Sequence, residues 1–119
     1  MNEGRRMLRF VTLTAVALAS AHASLAAEDT DLKRGEAVYQ GYCAACHDPG
    51  PGHPGTQMLA VKKGKELAVL IGRTDLGVDL VRAVVRGGLI EMPPFRPSEV
   101  SDADIEALVK FIHTKRDEK

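Results

Sequence analysis

The stretch Gly41-Tyr42-Cys43-Ala44-Ala45-Cys46-His47 holds both cysteines of the chain, two residues apart, with a histidine directly after the second. Several chemistries compete for two thiols and an imidazole so spaced. A disulfide across so small a loop removes little entropy from the unfolded chain. A thioredoxin-like dithiol belongs between a strand and a helix of an α/β domain, and no alternating strand pattern is present to host it. A tetrahedral zinc site needs a fourth ligand, for which His53 or His113 would have to serve. C-x-x-C-H is also the attachment signal of haem c: the thiols add across the vinyl groups, and the following histidine ligates iron from one face. The expectation is one covalent haem c on the Cys43 and Cys46 thioethers, with His47 as proximal iron ligand.

These residues must be positioned by a small domain. The chain has 119 residues, enough for one domain. Arg5, Arg6 and Arg9 precede an apolar run from Phe10 to Ala19, and small residues follow as far as Ala27. That order reads as a secretory signal peptide over 1–26, cleaved after Ala23 or Ala26, with the domain over 27–119. The apolar run is shorter than the roughly 20 residues that span a bilayer, so no stable membrane insertion is expected after cleavage. Export puts the protein in the periplasm, where bacterial haem c is normally attached. Removal of 1–26 leaves 93 residues with 13 basic and 15 acidic side chains. No basic surplus remains for nucleic acid or anionic lipid.

Gly35, Tyr39 and Cys43 recur at i+4 steps along one helical face leading into the cysteines. Leu108 and Phe111 form an i, i+3 pair on a later helix. On these residues and on CAACH the chain resembles the small class I cytochromes c, over most of residues 31–115. The resemblance implies an all-α fold wrapped around one covalent haem, with the first helix crossing the last where the glycine lets two backbones approach. It also implies a methionine on the distal side of the iron. Met1 and Met7 lie in the signal segment, and Met58 falls too soon after the haem motif. Met92, 45 residues past His47 and just before the final helix, stands where the family places its distal ligand. Pro93 and Pro94, with fixed φ and no N–H, stiffen the loop that presents its sulfur. Paired histidine and thioether ligands favour ferrous iron and raise the reduction potential.

The stretch from Leu80 to Phe95, followed by Ser98 to Ile105, is similar to the cytochrome subunit of p-cresol methylhydroxylase-type flavocytochromes. It is also similar to small cytochromes that accompany quinoprotein alcohol dehydrogenases. This implies redox partner proteins: a periplasmic flavin or quinoprotein dehydrogenase as donor, and an oxidase or another cytochrome as acceptor.

Local patterns give the remaining elements. A helix is expected from Asp31 into Cys43, and another over Lys65–Ile71 ending near Gly72. Asp75 is expected to cap a third helix with Leu76, Leu80, Val81, Val84 and Val85 on its apolar face, stopped by Gly87-Gly88. Ser101-Asp102-Ala103-Asp104 opens the last, with Ile105, Leu108, Val109 and Ile112 inward. The residues between His47 and Lys65, rich in glycine and proline, read as an irregular loop on the proximal side. In the family a proline carbonyl orients the proximal histidine, a role open to Pro51 or Pro54. His53 reads as a solvated loop histidine, and His113 as a surface residue near a helix C-terminus. Arg73 and Arg86 are candidates for the haem propionates. Lys62, Lys63 and Lys65 read as a solvated turn.

Iron closed by His47 and Met92 leaves no open position for substrate, and no nucleophile–base motif appears. The expected function is single-electron transfer by Fe(II)/Fe(III) cycling, with no catalytic residues. The alternative is a haem enzyme or gas sensor with a labile distal methionine, for which only Arg96 is near enough in sequence to serve an open site.

Overall fold

The structure is a computed structural model and describes residues 26–114. The signal-peptide expectation therefore falls almost wholly outside the described residues. Residues 26–30 are helical and exposed, and the compact body of the chain runs from Asp31 onward. Helix α1 covers 26–38. It passes without a break into a π-helical stretch, Tyr39–Cys43, and then into the single turn α2, Ala44–His47. Three more helices follow: α3 Pro54–Lys63, α4 Val78–Gly87 and α5 Asp102–Ile112. Among the described residues there is no strand beyond one isolated bridge, Leu89 with Met92. The fold is all-α, as the sequence predicts, and consistent with a small class I cytochrome c. No helix of the described residues is long and apolar enough to cross a membrane.

Helix α5 is the centre of the core. Ile105, Ala107, Leu108, Val109 and Ile112 are all buried, four of them the residues its amphipathic pattern selects. Its N-terminus is the capping box expected from sequence: the Ser101 hydroxyl accepts from Asp104 N–H, and the Asp104 carboxylate accepts from Ser101 N–H. Such a cap contributes about 1 kcal/mol. Arg34 of α1 adds an ion pair to Asp104 at 2.7 Å, and Lys110 pairs with Asp31.

The hydrogen bonds from Ser101, with Arg34 beside them, hold the Asp104 carboxyl at about 2, below its ordinary 3.8. A carboxyl depressed in the folded state stabilises above its unfolded pKa and loses that contribution as pH falls through the folded one. Asp104→Asn is therefore expected to flatten the loss of stability between about pH 4 and pH 2. Thermal melts across that range check this; an acid limb as steep as the wild type's would contradict it.

Helix α1 crosses α5 at Gly35. A Cβ built there would stand 2.1 Å from the Ala107 carbonyl oxygen and 2.8 Å from Phe111 Cβ, so only glycine fits this approach. One turn on, the Tyr39 and Phe111 rings meet at 5.6 Å between centroids. Both agree with the crossing that the resemblance carried by Gly35, Tyr39, Leu108 and Phe111 implies. Helix α4 lies on α5 and buries Val85, with Val78 and Val81 partly covered.

Three expectations are corrected. The glycine- and proline-rich segment is not irregular throughout, because Pro54 sits at the start of α3 with φ already helical. The helix expected over Lys65–Ile71 is only a 3₁₀ turn, Lys65–Leu67. Its carbonyls are taken elsewhere: Leu70 by Arg73 N–H and Leu67 by the Arg73 guanidinium. Gly77, not Asp75, is the N-cap of α4, since Asp75 is bound by Arg73 at 2.9 Å. The helix thus starts at Val78, which sets its inner face at 78, 81 and 85 and leaves Leu80 exposed.

Candidate haem site

Helix α2 is one turn long and cannot hold itself in water. Its carbonyls are fixed from outside instead. Tyr39 Oη donates to His47 O at 3.1 Å, and burial raises the Tyr39 pKa so that the hydroxyl stays a donor. His53 Nδ1–H donates to Ala45 O at 3.0 Å. The buried Thr56 hydroxyl donates to Asp48 O at 2.9 Å, fastening α3 to the end of α2. His53 is thus the N-cap residue of α3 and a support of the C-x-x-C turn, not a free loop histidine.

The thiols of Cys43 and Cys46 are three residues apart on this turn, as an i, i+3 pair on one side. Both are free thiols; Cys43 is half-buried and Cys46 exposed. Burial pushes the Cys43 thiol up to about 11. His47 is half-buried, and burial lowers its pKa, which favours the neutral ring that ligates metals. Its Nδ1 is buried with no hydrogen-bond partner among the described residues. Neither Pro51 nor Pro54 supplies the expected carbonyl: Pro54 is the first residue of α3, where a carbonyl is directed along the helix axis. Against the ring lies Gly55, where a Cβ would stand 2.7 Å from His47 Cε1 and 2.9 Å from Nδ1.

Met92 lies at the other end of the site. Helix α4 stops at Gly88, with φ +73, as its glycine pair predicts. The chain then makes a tight turn in which Leu89 and Met92 exchange both backbone hydrogen bonds, at 3.0 and 2.9 Å. Ile90 in that turn has φ +55, a left-handed conformation that costs a non-glycine residue about 1–2 kcal/mol. Met92 is partly buried against the cluster of Val38, Tyr39, Val85 and Ile105, the cluster on which Cys43 also packs. Phe95 closes the loop: its N–H donates to Val85 O at 2.7 Å, and its ring meets Tyr42 edge-on at 5.7 Å. That contact joins the segment carrying the cysteines to the segment carrying Met92. Met58, by contrast, is exposed on α3.

The charged candidates already have partners. Arg73 binds Asp75 and Leu67 O, while Arg86 binds Phe95 O and Asp102. Arg96 is exposed and pairs with Glu99 at 3.5 Å. His113 contacts Leu76 O at 2.9 Å and steadies the chain before α4. Sequence reasoning missed Tyr42, Gly55 and Thr56. An aromatic beside Cys43 and a glycine behind Pro54 were the available signals; nothing marked Thr56.

The donor set fits haem c. Two thiols three residues apart and a half-buried imidazole kept toward its neutral form lie on one segment, Cys43 and the half-buried Met92 pack on one apolar cluster, and Gly55 leaves room beside the imidazole. Comparison with known proteins agrees. Residues 30–112 match the family described as "Cytochrome C oxidase, cbb3-type, subunit III". The chain is 30% identical over 82 residues to cytochrome c6 of Cyanidioschyzon merolae, covering 69% of this chain and 72% of that protein. It is 28% identical over 87 residues to cytochrome c6 of Cyanidium caldarium, covering 73% of each. No solved structure matches the chain.

Proposed function

The chain belongs to the c-type cytochromes, in the family its residues 30–112 match, and on that premise we propose that it is an exported carrier which takes single electrons from a dehydrogenase and passes them toward a respiratory chain. Membership makes it a monohaem electron-transfer protein with covalently bound haem c, and not an enzyme. Bound haem supplies one-electron Fe(II)/Fe(III) chemistry. Cys43 and Cys46 would hold it by thioethers, with His47 and Met92 as its iron ligands. The observation that carries this reading is Met92 on a doubly hydrogen-bonded turn, packed against the cluster that also carries Cys43.

The residues of the chain keep both ends of the site in place. Tyr39, His53 and Thr56 hold the carbonyls around His47. The loop 88–95 holds the Met92 sulfur in one place, and ligands that keep their positions limit reorganisation during electron transfer. Residues 1–26 are the signal peptide, and the periplasm is the compartment. Leu89 and Ile90, 56% and 72% exposed beside Met92, offer an apolar contact for a partner. The donor is of the flavin or quinoprotein dehydrogenase class, and the acceptor an oxidase or another cytochrome.

Absorption spectra of the exported protein, oxidised, reduced and with carbon monoxide, test the ligand set. A low-spin haem c spectrum unmoved by the gas is expected, with Met92→Ala binding carbon monoxide stoichiometrically. Prompt binding by the wild type would favour the gas sensor or enzyme with a labile methionine.

A further inference from the structure

We propose that Arg86 is a positioning residue for the distal ligand: it clamps the loop 88–95 to α4 and α5 and so governs how firmly Met92 holds the sixth position. The inference rests on Met92 being that ligand. Arg86 lies in the last turn of α4 and its side chain is 23% exposed. One arm, Nη1, donates to Phe95 O at 3.2 Å. The other, Nη2, donates to Asp102 Oδ1 at 2.6 Å, in the first turn of α5. Beside it, Phe95 N–H donates to Val85 O. Both backbone groups of Phe95 are therefore held by α4, three residues after Met92, and the same guanidinium fixes α4 to α5.

At its other end the loop has little freedom. A Cβ at Gly88 would stand 2.8 Å from Met92 O and 3.2 Å from Pro94. Between these ends Ile90 is held in the left-handed region. A conformation of that cost persists only where its surroundings enforce it. Releasing Phe95 from Arg86 gives the turn a way to relax, and Met92 is inside the turn that relaxes. Lysine does not replace this function, because an ammonium is a single point charge without the planar fork that spans two acceptors.

The test uses the haem-loaded ferric protein, with imidazole as a competing ligand and the reduction potential measured alongside. R86Q is expected to bind imidazole at least about 10-fold more tightly than wild type, the usual scale when a ligand loses its support. Its potential should fall, and R86K should lie between. R34Q, which breaks the Arg34–Asp104 pair without removing a bond to Phe95 or Asp102, should lower thermal stability and leave imidazole affinity unchanged. If R86Q yields no holoprotein, D102A removes the acceptor of one arm of the clamp and should shift affinity in the same direction. Wild-type affinity in these variants, or an equal shift in R34Q, overturns the proposal. If Met92→Ala binds imidazole no better than wild type, Met92 is not the ligand and the inference falls with that reading.

Discussion

Gly35→Ala is expected to destabilise the protein by about 3 kcal/mol, lowering Tm by about 12 °C or more. Two effects of opposite sign meet at this position. Alanine in a helix interior is favoured over glycine by about 1 kcal/mol. Against that, its Cβ would stand 2.1 Å from the Ala107 carbonyl oxygen and 2.7 Å from the carbonyl carbon. Those atoms are backbone of α5, whose inner face forms the core, so they cannot swing away as a side-chain tip would. The helices must separate, and the Tyr39–Phe111 contact one turn away separates with them. Thermal unfolding followed by circular dichroism decides the sign. A variant as stable as wild type would mean that α1 and α5 cross with room to spare.

The second large effect is expected at Gly55, where alanine should reduce the haem carried per polypeptide by about 10-fold. Its Cβ would meet the His47 ring at 2.7 Å and the Cys46 carbonyl oxygen at 2.8 Å. The ring is the softer of the two, but turning it moves the nitrogen proposed to ligate iron. Haem absorbance against protein concentration in the exported variant measures the loss. Full loading with an unchanged ferric spectrum would show that α3 yields instead, and that His47 is not positioned by Gly55.

These two glycines differ in how plainly the sequence announces them. Gly35 belongs to a periodic series with Tyr39 and Cys43, and Leu108 and Phe111 form a second pair; these local patterns carry the resemblance that implies the crossing, in which Gly35 meets Ala107 and Phe111. The Ser101–Asp104 box and the Gly88 stop are local in the same way, each decided within a few residues. Gly55 belongs to no series. Helix α3 is exposed along most of its length and buries only Thr56, so it has no apolar stripe to reveal it. The hydrogen bond from Thr56 to Asp48 O and the packing of Gly55 on His47 are tertiary facts. Arg86 is a harder case. A guanidinium in a cofactor protein suggests a propionate, and only the fold shows that its two arms are spent on Phe95 and Asp102. The C-x-x-C-H haem site is legible because attachment chemistry restricts residue type and spacing, and Met92 is proposed as ligand from its place in the family resemblance; what holds these residues is legible only where it is periodic.

The π-helical stretch Tyr39–Cys43 carries a consequence for how this chain could change by insertion or deletion. Ala44 N–H bonds back five residues to Tyr39 O, so the rod accommodates one residue more than α-helical winding would between α1 and α2. Each residue of an α-helix advances about 100° around the axis. Removing a single residue here, Gln40 or Gly41, would let the stretch return to α-helical winding, leaving every apolar stripe of α1, α4 and α5 intact and Cys46 and His47 facing nearly as they do now; the same residues wound without the π turn would instead carry them round by about that angle. The wider turn therefore absorbs the surplus residue: α1 keeps its face toward α5, and the segment bearing Cys46 and His47 keeps its direction, with the extra residue or without it.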